Sequence, residues 1–163
     1  MKPLFATVAA LVVLGTTLSA QAYEPKATIA DLDARLAKIG TARVEGTDTV
    51  AGKPVPALFF GERKINNNFD VVDAIRKTHS ATATVFVKDG EEFTRVSTNV
   101  LTPEGKRGIG TQLARNKAYE AITKGQSYCG EIDVLGTQFD ACYNPIKDDA
   151  GKIIGVSYIG HKK

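Results

Sequence analysis

The run ATVFVKDGEEFTRVSTNV, Ala83 to Val100, constrains the fold more than any other part of the chain, because it places two strand-like stretches about Asp89-Gly90. An Asp-Gly pair between alternating apolar residues favours a two-residue hairpin turn whose central residues both need positive φ. With that pair at the centre, Lys88 faces Glu91, Val87 faces Glu92, Phe86 faces Phe93 and Thr84 faces Arg95. One face then carries Thr82, Thr84, Phe86, Phe93, Arg95, Ser97 and Asn99, and the other carries Ala83, Val85, Val87, Thr94, Val96, Thr98 and Val100. The valine face is expected in the core. The first face, two phenylalanines and an arginine among hydroxyl and amide groups, has the composition of a pocket floor, where an arginine suits a carboxylate or phosphate. A half-solvated sheet alternates in the same way, so the pattern alone leaves both readings open.

The chain begins with Lys2, an apolar run from Leu4 to Leu14 and the small-residue ending Ala20-Gln21-Ala22. This order predicts a secretory signal peptide cleaved after Ala22, since the run is too short to span a bilayer comfortably. Residues 23–163 are then one exported domain of roughly 140 residues, long enough for its own core, with no further membrane segment. The formal net charge of +3 is slight, and the basic residues are scattered among acids, which excludes a nucleic-acid surface. Cys129 and Cys142 are too far apart for a Cys-x-x-Cys redox pair and lack the soft neighbours of a zinc site. Their flanks, SYCGEIDV and QFDACYN, are strand-like about Leu135-Gly136, and pairing there sets Cys129 opposite Cys142 and Tyr128 opposite Tyr143. Directly opposed residues lie roughly 4.5 to 5.5 Å apart at Cα, a separation that a disulfide tolerates. A cross-strand disulfide is therefore expected, on the outer side of its hairpin with Glu131, Asp133, Gln138 and Asp140, while Tyr128, Ile132, Phe139 and Tyr143 face inward.

Three helices are expected. The first follows Thr28 as N-cap and carries Ile29, Leu32, Leu36 and Ile39 on one stripe; the second carries Phe69, Val72 and Ile75 after an Asn67 or Asn68 cap; the third runs from Asn116 to Lys124. Between them lie strands joined mainly by short turns, so the class is α+β with an antiparallel sheet. Arg107-Gly108-Ile109-Gly110-Thr111 has glycines that let backbone N–H groups crowd a ligand, yet it matches neither a Walker loop nor a dinucleotide fingerprint, and a structural turn explains it as well. The two histidines, His79 and His161, lie far apart, and Gly155-Val156-Ser157-Tyr158-Ile159 lacks the last glycine of a nucleophile elbow. No catalytic constellation, metal set or cofactor motif emerges, so the reading is of a binding protein, not an enzyme, and a cofactor-free acid/base enzyme stays open as an alternative without support.

The strings KINNNFDVVDAI, FTRVSTNV, GKRGIGTQL, KAYEAITKGQSYCGE and YNPIKDDAGKIIGVSYIG, taken in order, resemble the extracytoplasmic Cache sensor domains, in particular the fused single-Cache type of bacterial chemoreceptors and sensor kinases. The likeness spans about Gly52 to Gly160. It implies a PAS-like fold with an antiparallel sheet, an N-terminal helix across one face and a small-molecule pocket on the other, beneath a long connection. It implies further that Phe93, Arg95 and Thr98 lie on the family's binding strand, Arg107 to Thr111 on its glycine loop, and Tyr128 and Tyr143 on flanking strands. The expected ligand is a small organic acid paired with Arg95, aided by Arg107, Thr84, Ser97 or Asn99 and walled by Phe86, Phe93, Tyr128 and Tyr143. His79-Ser80 stands where many relatives have Gly-Gly, and the cysteine pair lies outside the family pattern. Because the chain ends at His161-Lys162-Lys163, the resemblance implies a free-standing periplasmic domain that reports to a membrane receptor, sensor kinase or transporter. The alternative is a ligand-free interaction module docking on such a partner.

Overall fold

The computed structural model describes residues 24–163; the expected signal peptide lies outside the described residues. The order is α1 (Glu24–Ile39), β1 (Ala42–Val50), β2 (Lys53–Phe60), β3 (Arg63–Lys64), α2 (Asp70–His79), β4 (Thr82–Asp89), β5 (Glu92–Thr98), α3 (Lys117–Thr123), β6 (Tyr128–Val134), β7 (Thr137–Lys147) and β8 (Ile153–Lys162). The strands form a small sheet, β1-β2-β3, and a large one, β5-β4-β8-β7-β6, with antiparallel pairing throughout. On one face of the large sheet, Ala83, Val85, Val87, Val96 and Ile159 pack with the buried faces of α1, α2 and β2. On the other, Phe86, Phe93, Phe139, Tyr143, Val156 and Tyr158 pack beneath α3 and the long chain between β5 and β6.

The first helix begins a turn earlier than the Thr28 cap predicts. Pro25 sits in its first turn, where a missing N–H costs nothing. Thr28 is therefore interior, fully buried, with its hydroxyl turned back onto the Glu24 carbonyl at 2.8 Å. Both histidines meet this helix: His161 Nε2 lies 3.0 Å from Thr28 Oγ1, and His79 Nε2 lies 2.8 Å from Asp31. The chain leaves α1 through Gly40, where a Cβ would stand 2.5 Å from the Gly61 Cα, so the two glycines let the ends of α1 and β2 touch. Asn66, Asn67 and Asn68 are all used locally. Asn66 accepts from the Leu58 N–H and donates to the Pro56 carbonyl, Asn67 donates to the Thr49 carbonyl, and Asn68 accepts from the first N–H of α2. Asn116, expected as the first residue of the third helix, instead caps it, accepting from Ala118 and Tyr119.

Asp33 fastens α1 to the sheet, accepting from Ser157 Oγ at 2.5 Å and Asn144 Nδ2 at 2.6 Å. Among the described residues no cation joins these contacts, and burial pushes the carboxyl up despite both hydrogen bonds. A folded value raised above the ordinary 3.8 means the folded state holds the proton more tightly than the unfolded chain. The associated stability is complete below that ordinary value and is lost as pH rises through the folded one. Asp33→Asn is expected to flatten this part of the decline, seen as a smaller loss of melting temperature on going from pH 4 to pH 7. An identical pH profile in the variant would show that Asp33 titrates normally.

The β4–β5 hairpin departs from its expected register. Asp89 pairs with Glu92, Lys88 with Phe93, Val87 with Thr94 and Phe86 with Arg95, so the turn is centred on Gly90-Glu91. Only Gly90 of that pair takes positive φ, at 61°, which spares Asp89 the left-handed conformation that an Asp-Gly centre demands. A bulge follows between Val85 and Phe86, after which Val85 pairs with Ser97 and Thr84 with Thr98. Beyond Arg95 the faces therefore exchange: Thr98 and Val100 join the Phe86 side, while Ser97 and Asn99 turn toward α2.

The second hairpin keeps its expected register, with Val134 opposite Thr137, Ile132 opposite Phe139, Cys129 opposite Cys142 and Tyr128 opposite Tyr143. Cys129 and Cys142 are bonded, with Cα atoms 4.1 Å apart. The bridge does not lie on an outer side, however. Cys142 is fully buried within the layer that α1 covers, because the fold places that helix over the very face that the acidic residues of the hairpin suggest is wet.

Candidate functional site

The face of the large sheet away from α1 is laid out in rows of directly paired residues. One row reads Tyr128, Tyr143, Tyr158, Thr84, Thr98 across the five strands. On one side of it lies Pro145, Val156, Phe86, Arg95; on the other lies Gly130, Ala141, Gly160, Thr82. The last row is small. A Cβ at Gly160 would overlap the Tyr158 hydroxyl, and one at Gly130 the Tyr128 hydroxyl, so these tyrosines lie down over the row that lacks side chains. Neighbouring rings stack obliquely, with centroids 6.4 Å apart for Tyr128 and Tyr143 and 4.9 Å for Tyr143 and Tyr158.

Arg95 is the charged member of this floor and is only 3% exposed. Its Nη1 donates to Thr111 Oγ1 at 2.9 Å and to the Gln112 carbonyl at 3.1 Å, and its guanidinium lies 4.8 Å from the Phe86 ring centre. Among the described residues, its Nε has no hydrogen-bond partner and no carboxylate pairs with it. Burial lowers its pKa, partly offset by the nearby Tyr143 and Tyr158. Those phenols are in turn pushed well above their ordinary range by burial. Tyr158 is anchored: Thr82 Oγ1 donates to the Gly160 carbonyl at 2.9 Å, so the 3.1 Å contact with Tyr158 is a bond donated by the phenol. Tyr143 Oη makes no hydrogen bond among the described residues.

The glycine loop closes the site. Gly110 donates to the Arg95 carbonyl, the Arg95 N–H to the Thr111 carbonyl, and Leu113 to the Phe93 carbonyl, so residues 110–113 run as an extra strand along the open edge of β5. Gly108 likewise donates to the Val100 carbonyl. These N–H groups are taken up by backbone and do not form an anion cradle. A groove of about 460 Å³, lined in part by Lys53, Thr94, Thr111 and Gln112, lies alongside the segment that holds the guanidinium.

The expected site residues thus divide. Thr84, Phe86, Phe93, Arg95, Tyr128 and Tyr143 share one face, and the Thr84 hydroxyl lies 2.6 Å from that of Thr98. Three others are elsewhere. Ser97 donates to the Asn68 carbonyl, and Asn99 accepts from the Ala83 N–H and donates to the Val72 carbonyl, both on the α2 side because of the bulge. Arg107 grips both Asp73 carboxylate oxygens at 2.7 and 2.8 Å and stacks on Phe69, clamping the loop to α2. Sequence reasoning placed Thr82 on this face without naming it as a site residue and missed Tyr158, although the spacing of Tyr158 from Val156 along β8 was available as a signal.

An antiparallel sheet covered on one face by helices and closed on the other by a long connection is a PAS-like α+β architecture. The chain belongs to the Cache 3/Cache 2 fusion domain family, whose sequence model matches residues 15–163. Domains of this family are extracytoplasmic sensing and binding modules. Among solved structures, the E. coli DcuS sensor domain is similar at 23% identity and a TM-score of 0.42, over 56% of this chain and 63% of that one. The chain thus spans a little under two thirds of that domain's length. A search of curated proteins found no match. Among the described residues, no helix is long and apolar enough to cross a membrane.

Proposed function

We propose that the protein is a periplasmic sensor domain that binds a small organic carboxylate between Arg95, Tyr143 and Tyr158. The carrying observation is the Arg95 guanidinium, buried with one nitrogen unbonded and no acid beside it. A buried charge without a counter-ion is costly, and a carboxylate is the group that relieves it through two parallel hydrogen bonds. The unbonded Tyr143 hydroxyl supplies a further donor, and the row of Gly130, Ala141 and Gly160 supplies space once the tyrosine rings lift. Entry requires Thr111 and Gln112 to release the guanidinium, which couples occupancy to the position of the glycine loop. The family's role supports reading that movement as a signal to a membrane receptor, sensor kinase or transporter.

The test is a thermal-shift screen of three- to six-carbon mono-, di- and tricarboxylates, followed by calorimetry on the best. A true ligand at about 100 times its Kd should add about 2.7 kcal/mol of stability. No shift from any acid would remove the proposal and favour a docking module.

A further inference from the structure

At the end of the large sheet where β8 finishes, a second cavity of about 320 Å³ opens between the C-terminal end of α2, the chain just after β5 and the β6–β7 turn, sharing Thr82 and Gly160 with the small row of the floor described above. Its walls include Leu101, Val134 and Phe139, and its charged members are Arg76 and Lys162. No acidic residue among the described residues lines it. The Arg76 guanidinium donates only to the Asn99 carbonyl, at 3.2 Å, and the Lys162 ammonium has no partner among the described residues. Leu101, 47% exposed, is one of two large apolar side chains that the described surface leaves open, and it stands at this mouth. Two other hollows carry acids: the one beside Tyr128 mixes Lys117 with Glu131 and Asp133, and the one beside Ala37 holds Asp33.

We propose that this cavity is a second binding site, for a carboxylate carrying a short aliphatic or aromatic body. Two unpaired cations without an acid attract an anion, and the apolar walls favour a ligand that is more than a headgroup. A six-carbon acid fits, since small-molecule pockets begin at about 300 Å³. Thr137 lies in the same lining. This inference does not rest on Arg95, which does not line the cavity.

The experiment is an amide-resolved NMR titration of the protein with sodium hexanoate, sodium benzoate, sodium acetate and 1-hexanol. Hexanoate or benzoate should saturate, with shifts centred on Leu101, Val134, Thr137 and Phe139, and should bind about tenfold or more tightly than either acetate or hexanol. The double variant Arg76→Gln with Lys162→Gln should weaken that binding by about tenfold or more. Leu101→Glu, at a half-exposed position that the fold does not need, should do the same by placing a carboxylate at the mouth. Arg95→Met should leave it unchanged, which separates this site from the sensor pocket. Shifts centred on Arg95 instead, hexanol as tight as hexanoate, unchanged affinity in both cavity variants, or no saturation by either longer acid would each overturn the proposal.

Discussion

Arg95→Met is expected to raise the melting temperature of the empty domain while removing its response to carboxylates. The two effects have one cause. The wild-type guanidinium is 3% exposed and has no carboxylate beside it, so the folded state carries its desolvation cost uncompensated until a ligand arrives. Methionine fills a similar volume against Phe86 without that cost, and exchanges of buried charge for apolar groups are commonly stabilising by about 1 to 4 kcal/mol. The lost bonds to Thr111 and Gln112 place the expectation at the low end, about 1 kcal/mol, or roughly 2 to 4 °C. Binding should fall by about one to two decades or more, because a charge-assisted contact is worth about 1.5 to 3 kcal/mol. Scanning calorimetry with and without the best acid reads both at once. A variant that melts lower than wild type and still binds would mean that Arg95 serves to hold the glycine loop.

Reduction of the Cys129–Cys142 bridge is expected to cost about 3 kcal/mol, the chain-entropy value for a loop of about 15 residues. At this chain size that corresponds to a melting temperature lower by roughly 6 to 12 °C. The bridge joins strands already paired in register, and Cys142 is fully buried, so the reduced thiols keep their packing and the loss reports the cross-link itself. The measurement is a pair of melts with and without dithiothreitol, with thiol titration to verify reduction. Coincident melts would show that the hairpin is equally ordered in the denatured ensemble without the bond.

The fold was largely legible because its signals are local. Asn116 caps α3 through its own side chain, the Leu135-Gly136 turn fixes every pair of the β6–β7 hairpin, and the stripe Ile29, Leu32, Leu36 names the buried side of α1. Half of the candidate floor follows from the same alternation, since Phe86, Phe93 and Arg95 lie before the bulge. Prediction failed at one local choice and at contacts distant in sequence. Whether Asp89-Gly90 or Gly90-Glu91 centres the turn depends on which residue is spared positive φ, a small energy that pattern does not weigh. Arg107 reads as a ligand group until Asp73, on another helix, is seen to occupy it. The burial of the disulfide likewise depends on α1 crossing that strand pair, which no feature of the hairpin itself announces.

The bulge in β5 has a consequence for what lengths of chain this domain tolerates. Between Arg95 and Val100 a single residue decides which side chains look toward α2 and which toward the tyrosines. Deleting Val96 would remove the bulge and leave Ser97 and Asn99 on the α2 side, whereas deleting Thr98 would carry either Ser97 or Asn99 over the tyrosine rows and withdraw one anchor of α2. In this strand the place of a one-residue deletion relative to the bulge decides whether α2 keeps both anchors, so residue count is constrained there as well as composition.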